Sequence, residues 1–386
     1  MTERAYFDWN ATAPLRPEAR EAMVAAMALT GNASSVHAEG RAARQVIEAA
    51  RQKVAVLVGA EAKNVTFTSG ATEANMLALT PSVTSGGRKA LRDKLFFSAI
   101  EHPSVRAGGR FPAGSTEELP VTREGLLDLQ ALRTVLARSE HPLVSVMLAN
   151  NETGVIQPIA EIAAMVHEAG GILHVDAVQG AGRIDCQTAE LGADLVSISA
   201  HKLGGPQGVG ALVRRGDIHI SAALITGGGQ ERGLRAGTEN IAAIAGFGAA
   251  CAAAGVARQA DAARMARLRD TLEAGLKAAT PQAVIFGADA PRLPNTTLVA
   301  VPGIKAETAI IAFDLSGIAL SSGSACSSGR VQASHVLTAM GADDDLTRGA
   351  LRLSLGWSTT QDDVNRLLNA WNTVISSLLK THATAA

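Results

Sequence analysis

One lysine and one aspartate, each set just past an apolar run, carry the chemistry of this chain. Lys202 lies in Ser199-Ala200-His201-Lys202-Leu203-Gly204-Gly205-Pro206, a glycine-rich turn that follows the β-type run Leu195-Val196-Ser197-Ile198. Asp176 closes a second buried-strand pattern, Ile172-Leu173-His174-Val175-Asp176, with Gln179 just beyond it. An amine, an acid and an amide delivered by strand ends suit pyridoxal phosphate. That cofactor needs an amine for its aldehyde, a carboxylate to keep its pyridine nitrogen protonated and a donor to its phenolic oxygen. Lys202, Asp176 and Gln179 supply those three. Taken singly each has a commoner structural role, and it is their conjunction that points to catalysis.

Other chemical residues fall in similar places. Ser69-Gly70-Ala71-Thr72 follows the short β run 65–68 and opens a helix reaching to about Leu79. A strand, turn and helix N-terminus points backbone N–H groups at an anion, although Thr72 also reads as a helix cap. Ser199, His201 and Thr238 are further candidate phosphate ligands. His102 follows the apolar run 95–100 and precedes Pro103, which disfavours helical geometry at the histidine. An imidazole there suits stacking on a pyridine ring and proton transfer near neutral pH. His37, His167, His174 and His335 read as structural. Cys326 sits in Ser321-Ser322-Gly323-Ser324-Ala325-Cys326-Ser327-Ser328-Gly329, a small, polar run without apolar periodicity. Such a context predicts a mobile loop and a thiolate nucleophile, whereas Cys251, flanked by alanines, reads as an inert core cysteine. Arg352 alternates with apolar residues on a strand and either faces water or clamps a substrate carboxylate.

The elements that must hold these groups alternate along the chain. Helices are predicted over 18–29 and 42–58, then strands and helices take turns, with 144–148 leading into Asn150-Asn151-Glu152-Thr153-Gly154 and a helix over 159–168 before the Asp176 strand. The segment 82–94 reads as a solvated insertion. Chemical residues just after apolar strands are the pattern of an open α/β sheet that binds ligands at its strand ends. A long alanine-rich helix is expected over 240–279, with the domain boundary inside it. Strands near 296–301, 319–321 and 350–355 and a closing helix over 360–379 complete the chain.

At 386 residues the chain is long enough for one large domain and a smaller one. A net charge of −1 without any basic block gives no electrostatic footprint for nucleic acid, so small molecules or proteins are the expected partners. The three cysteines are odd in number and widely spaced, which suggests neither a disulfide framework nor a zinc site. No stretch reads as a membrane span, and the N-terminus resembles neither a signal peptide nor a transit peptide. A cytoplasmic address is expected.

These motifs resemble those of the cysteine desulfurases of the NifS/IscS type, fold-type I pyridoxal phosphate enzymes of the class V aminotransferase family. The resemblance runs from Asp8-Trp9-Asn10-Ala11-Thr12 through Gly31-Asn32-Ala33-Ser34-Ser35-Val36-His37, the motifs around Thr72, His102, Asn151, Asp176, Lys202 and Thr238, to the Cys326 loop and Arg352-Leu353-Ser354-Leu355-Gly356. It implies an α/β fold: a large domain (16–255) with a mainly parallel seven-stranded sheet between helices, and a smaller α+β domain (1–15 and 256–386) carrying the cysteine loop at about 321–333. It further implies that Lys202 bonds the cofactor aldehyde, Asp176 pairs with the pyridine nitrogen, Gln179 contacts the phenolic oxygen and His102 stacks on the ring. Ala71, Thr72, Ser199 and His201 then hold the phosphate, with Thr238 reaching in from the second subunit of a homodimer. Asn151 lies beside cofactor and substrate, and Arg352 binds the carboxylate of L-cysteine. Cys326 receives the sulfur, and its persulfide is a transient ligand to an iron–sulfur cluster. The loop resembles the longer, flexible group I form, which implies direct transfer to an iron–sulfur scaffold or other sulfur-acceptor protein. Three departures stand out: Ala13 where threonine is usual, Gln332-Ala333 in place of Glu-Pro, and the Ala383-Thr384-Ala385-Ala386 tail, which leans the resemblance toward the nitrogen-fixation branch.

Overall fold

The computed structural model describes residues 4–86, 90–323 and 333–385, with side chains as far as Lys380. Its centre is a sheet of seven strands: β1 (Val65–Thr68), β2 (Lys94–Ser98), β3 (Thr116–Leu119), β4 (Pro142–Met147), β5 (Ile172–Asp176), β6 (Leu195–Ser199) and β7 (Gly210–Arg214). They lie in the order β1-β7-β6-β5-β4-β2-β3. Only β7 runs against the rest, pairing antiparallel with both β1 and β6. Every residue of β4, β5 and β6 is buried. A sheet covered on both faces needs such near-continuous apolar runs, which is why these strands are easily read from sequence.

Successive side chains along each strand feed two cores. Phe96, Val144 and Val146 join one with Leu173, Val175, Val196 and Ile198. Leu95, Phe97 and Leu143 point the other way. The first core is closed by α1 (Pro17–Met27), α2 (Ala38–Val58) and α4 (Ile241–Ala279), the second by α3 (Ala71–Ala78). Alanine and glycine let α2 and α4 approach closely: a Cβ added at Gly248 would stand 2.6 Å from the Ala50 Cα. Helix α2 starts four residues earlier than its apolar pattern predicts, because His37 caps it, Nδ1 accepting from the Gly40 N–H.

Helix α4 corrects one expectation. An 18-residue window of it has mean hydropathy 1.6, long and apolar enough by composition to cross a membrane. Half of that window is buried inside the fold, against α1 and α2, and its alanine methyls raise the hydropathy without large side chains. Further along, the buried residues of α4 change partners. Ala254 still belongs to the first core, whereas Leu268, Leu272 and Leu276 join Phe7, Phe313, Val364, Leu367 and Trp371 in another.

That further core lies against an antiparallel sheet of β8 (Val284–Ile285), β9 (Thr296–Ala300), β10 (Ser321–Ser322) and β11 (Leu351–Ser354), ordered β8-β9-β11-β10, and under α5 (Gln361–Ala385). The N-terminal segment is sewn into it: Ala5–Tyr6 pairs with Ile318–Ala319 and Asp8 bridges to Ser354. The segment 82–94 is also more structured than expected. Val83–Ser85 pairs antiparallel with Ile218–Ile220, burying Val83, and Arg92 is buried as well. Its one-sided pattern is too short to show against the flanking polar residues.

Candidate active site

The C-terminal ends of five strands meet at one cavity of about 450 Å³. From β1 the chain turns through Ser69 and Gly70 into α3, so Ser69, Gly70, Ala71 and Thr72 line the cavity at a helix N-terminus. Thr72 lies inside the helix, not at its cap, which is Gly70 and makes no side-chain capping bond. The turn depends on β7, where a Cβ added at Gly210 would meet the Gly70 carbonyl carbon at 2.7 Å.

From β2 the chain reaches Glu101 and His102. Glu101 is buried, its Oε1 accepting from the Ser98 hydroxyl at 2.5 Å and the Met147 N–H at 2.7 Å. Burial pushes its carboxyl up to about 8, with Asp176 adding to the effect. His102 caps the short helix Pro103–Arg106 in extended geometry, as a residue before proline should. Burial lowers its pKa below the ordinary histidine value, Lys202 acting in the same sense and Asp176 against it.

Beyond β4, Asn150 Oδ1 accepts from the N–H groups of Glu152 and Thr153, each at 2.9 Å, and shapes the turn that brings Asn151 to the cavity. Buried Glu152 accepts from the Ser334 hydroxyl at 2.5 Å, and burial pushes its carboxyl up to about 7. At the end of β5, each Asp176 oxygen has a fixed donor: the Val178 N–H at 3.0 Å on Oδ1 and Asn75 Nδ2 at 2.9 Å on Oδ2. Gln179 Nε2 donates to the Asn10 carbonyl at 3.1 Å, and its Oε1 accepts from Arg183.

After β6 come Ser199, His201 and Lys202. The Lys202 ammonium donates to the carbonyls of Asn10 and Ala11 at 2.6 and 2.7 Å. His201 Nδ1 is 3.1 Å from the Thr12 hydroxyl, and burial followed by the charges of Lys202 and Arg183 pushes its pKa down to about 4. The imidazole is therefore neutral at physiological pH. Arg352 enters from β11 of the other sheet. It is only 2 % exposed, so its alternation on the strand turns it into the protein and not toward water. Nη2 donates to Asp8 Oδ1 at 2.8 Å and Nη1 to the Asn151 carbonyl at 3.2 Å, while Nε has no partner among the described residues.

The cavity thus gathers Ala71, Thr72, His102, Asn151 and Asp176 with Gln179, Ser199, His201, Lys202 and Arg352. Thr238 is exposed and does not line it, and Cys326 lies outside the described residues. Asp8, Asn10, Asn75 and Ser104 are functional neighbours with no role legible in the sequence. Asp8 and Asn10 precede every long element and find their partners far along the chain, while Asn75 and Ser104 sit in short helices and are linked to the site through Asp176 and His102. Among the described residues no group of three or more His, Cys, Asp or Glu side chains is close enough to hold a metal ion.

The donor set fits pyridoxal phosphate: a primary amine, a carboxylate with both oxygens fixed, an imidazole, an amide and a helix N-terminus flanked by hydroxyls. The model of the aminotransferase class-V family matches residues 5–367. A cysteine desulfurase of Cereibacter sphaeroides is 40% identical over 382 residues, covering 97% of each chain. The cysteine desulfurase IscS of Dictyoglomus turgidum is 40% identical over 387 residues, 98% of this chain and 96% of that one. Among solved structures, a NifS-like protein from Rickettsia africae superposes with a TM-score of 0.87 at 35% identity, covering 97% of this chain and all of the other. The chain therefore belongs to the class-V aminotransferase family and, within it, to the pyridoxal phosphate-dependent cysteine desulfurases.

Proposed function

We propose that the cavity residues divide the conversion of L-cysteine to L-alanine among themselves, with the sulfur leaving on Cys326. Bound pyridoxal phosphate supplies the electron sink that makes the substrate Cα proton acidic. Lys202 holds its aldehyde in the resting enzyme, Asp176 its ring nitrogen and Gln179 its phenolic oxygen. His102 lies against the ring, and Ala71, Thr72, Ser199 and His201 take the phosphate. Arg352 binds the substrate carboxylate, with Asn151 beside it. Once displaced by substrate, the Lys202 amine is the base that removes the Cα proton and hands it on. The Cys326 thiolate attacks the substrate sulfur, so an S–S bond forms as the Cβ–S bond breaks. The electron pair of the broken bond stays with carbon and is protonated, which yields alanine and a persulfide on Cys326.

The convergence of Lys202, Asp176 and Arg352, drawn from two sheets, on one cavity supports this reading most directly. Thr238 is exposed and off its own cavity, which suits a residue that completes the site of a second copy. We accordingly take the enzyme to be a homodimer, with residues 16–255 as the cofactor-binding domain and 1–15 with 256–386 as the small domain. The onward acceptor is an iron–sulfur scaffold or another sulfur-acceptor protein in the cytoplasm, with the nitrogen-fixation branch as the finer assignment; transiently, the persulfide ligates the cluster being built. The test is alanine production from L-cysteine with added pyridoxal phosphate and a reductant. Wild type makes alanine, Cys326→Ala makes little, and Lys202→Ala makes none; no alanine from wild type overturns the proposal.

A further inference from the structure

Two polar side chains, Asn75 and Ser104, join Asp176 to His102, the two residues proposed to hold the cofactor ring. Asn75, on α3, donates one Nδ2 hydrogen to Asp176 Oδ2 and the other to the Ser104 hydroxyl, both at 2.9 Å. Its amide cannot be turned over, because Oδ1 would then face a carboxylate. The Ser104 hydroxyl, already accepting from Asn75, has its own hydrogen left to give, and His102 Nδ1 is 2.8 Å away. The Ser104 backbone N–H also points at the same nitrogen, at 3.1 Å. A backbone N–H is a donor under all conditions. His102 Nδ1 must therefore present its lone pair, and the proton of the neutral ring is on Nε2.

We propose that Ser104 and Asn75 are positioning residues that lock His102 as a neutral Nε2–H donor, leaving proton abstraction at Cα to Lys202. Taking up a second proton would put hydrogen on Nδ1, where it opposes the Ser104 backbone N–H and forces the Ser104 hydroxyl to turn and accept. Burial lowers the ring's basicity in the same direction. Among the described residues, the charged and titratable groups acting on His102 are Asp176 from β5, Lys202 from the turn after β6 and, weakly, His335 from the helix His335–Ala339. Of these, Asp176 favours the cation, and Asn75 and the Val178 N–H spread part of its charge over fixed bonds. His102 is thus a fixed hydrogen-bond donor to whatever lies against it, with Asp176 and His102 oriented as one unit.

The proposal rests on the desulfurase reading for its role in catalysis, and its test has a readout independent of activity. In the cofactor-loaded protein with nitrogen-15 in its histidine rings, the His102 resonances, assigned by their loss in His102→Gln, report tautomer and pKa directly. Wild type shows protonated Nε2 and unprotonated Nδ1. Ser104→Ala, which keeps the backbone donor but loses the hydroxyl, shows mixed tautomers and a His102 pKa raised by about 0.5–1 unit, the equivalent of one net hydrogen bond. The acidic limb of kcat/KM moves by the same amount. Ser104→Thr restores the wild-type values. A protonated Nδ1 in wild type, or a Ser104→Ala spectrum with tautomer and pKa unchanged, overturns the proposal. If wild type made no alanine the function would be wrong, while the spectrum would still decide the tautomer.

Discussion

Arg352 and Asp8 form an ion pair at 2.8 Å in which the guanidinium is almost wholly buried and the carboxylate about one-fifth exposed. The pair orients one edge of the fork, and the Asn151 carbonyl holds Nη1. An arginine pinned in this way offers a carboxylate a fixed angle of approach, which a lysine cannot do. Arg352→Lys is expected to raise KM for L-cysteine by about 10–100-fold, the worth of a charge-assisted hydrogen bond, with a smaller change in kcat. Steady-state kinetics at saturating pyridoxal phosphate separate the two, and an unchanged KM would remove Arg352 from substrate binding.

Gly210 allows the Ser69-Gly70 turn to lie directly on β7. In Gly210→Ala the new methyl would meet backbone atoms of Gly70 and Ile198 at about 2.7 Å, with no flexible side chain to yield. The turn must lift, and the N-terminus of α3 moves with it. Weaker retention of pyridoxal phosphate is expected in dialysis, read from the cofactor's visible absorbance, alongside a melting temperature lowered by several degrees. Full retention would show that the helix N-terminus is not part of the phosphate site.

Glu101 and His174 are two of the buried groups that make stability depend on pH. Glu101 titrates near 8 in the fold against an ordinary 4.5, so between those values the folded protein keeps a proton that the unfolded chain releases. Stability therefore falls as pH rises through that window. His174, held between the hydroxyls of Ser145 and Ser197, is pushed by burial from 6.5 to about 4. The unfolded chain takes up that proton first, so stability is lost as pH falls below about 6.5. Since the two terms oppose each other between pH 4.5 and 6.5, urea titrations from about pH 5 to about pH 9 should show stability nearly level on the acid side and falling from 6.5 to about 8, with Glu101→Gln reducing that fall by an amount on the order of 2 kcal/mol. A variant with the wild-type slope would contradict the assignment.

Arg51 and Glu231 make a two-pronged buried pair, 2.6 and 2.9 Å, and Glu231 also accepts from the Phe67 N–H at 2.8 Å. Through it the glycine-rich segment before Thr238 is fastened to α2 and β1. Glu231→Ala leaves the buried Arg51 guanidinium only the half-exposed Glu48 carboxylate, at 3.2 Å, and the Val65 carbonyl, at 3.0 Å, and should cost up to about 3–5 kcal/mol. Coupling it with Arg51→Met should recover part of that loss, because no buried charge is then left without its buried partner. Equal denaturation midpoints for the single and double variants would rule out this account.

Much of the large sheet is legible in the sequence, since Leu195-Val196-Ser197-Ile198 and its counterparts must be apolar on both faces. The residues at their ends stand out for the same reason: Asp176, His102 and Lys202 are polar groups placed where an apolar run stops. Val83–Ser85 escapes notice because three residues carry no period. Asn10 and Asp8 escape it because their importance depends on Lys202 and Arg352, which no local pattern links to them. Asn75 looks like any polar residue near a helix start until Asp176 and Ser104 are seen on either side of its amide.

The stitching of the N-terminal segment has a consequence for synthesis. The Asn10 N–H bonds to the Ser354 hydroxyl, 344 residues downstream. At ribosomal speeds of about 5–20 residues per second, the first dozen residues wait roughly 20–70 s for that partner to emerge. During this interval the central sheet can form and Gln179 and Lys202 can reach the Asn10 carbonyl, yet the Asn10 N–H and the Asp8 bridge still lack their Ser354 partner. The earliest part of the nascent chain is thus among the last to be secured, and a ribosome-bound chain ending short of Ser354 should not retain cofactor.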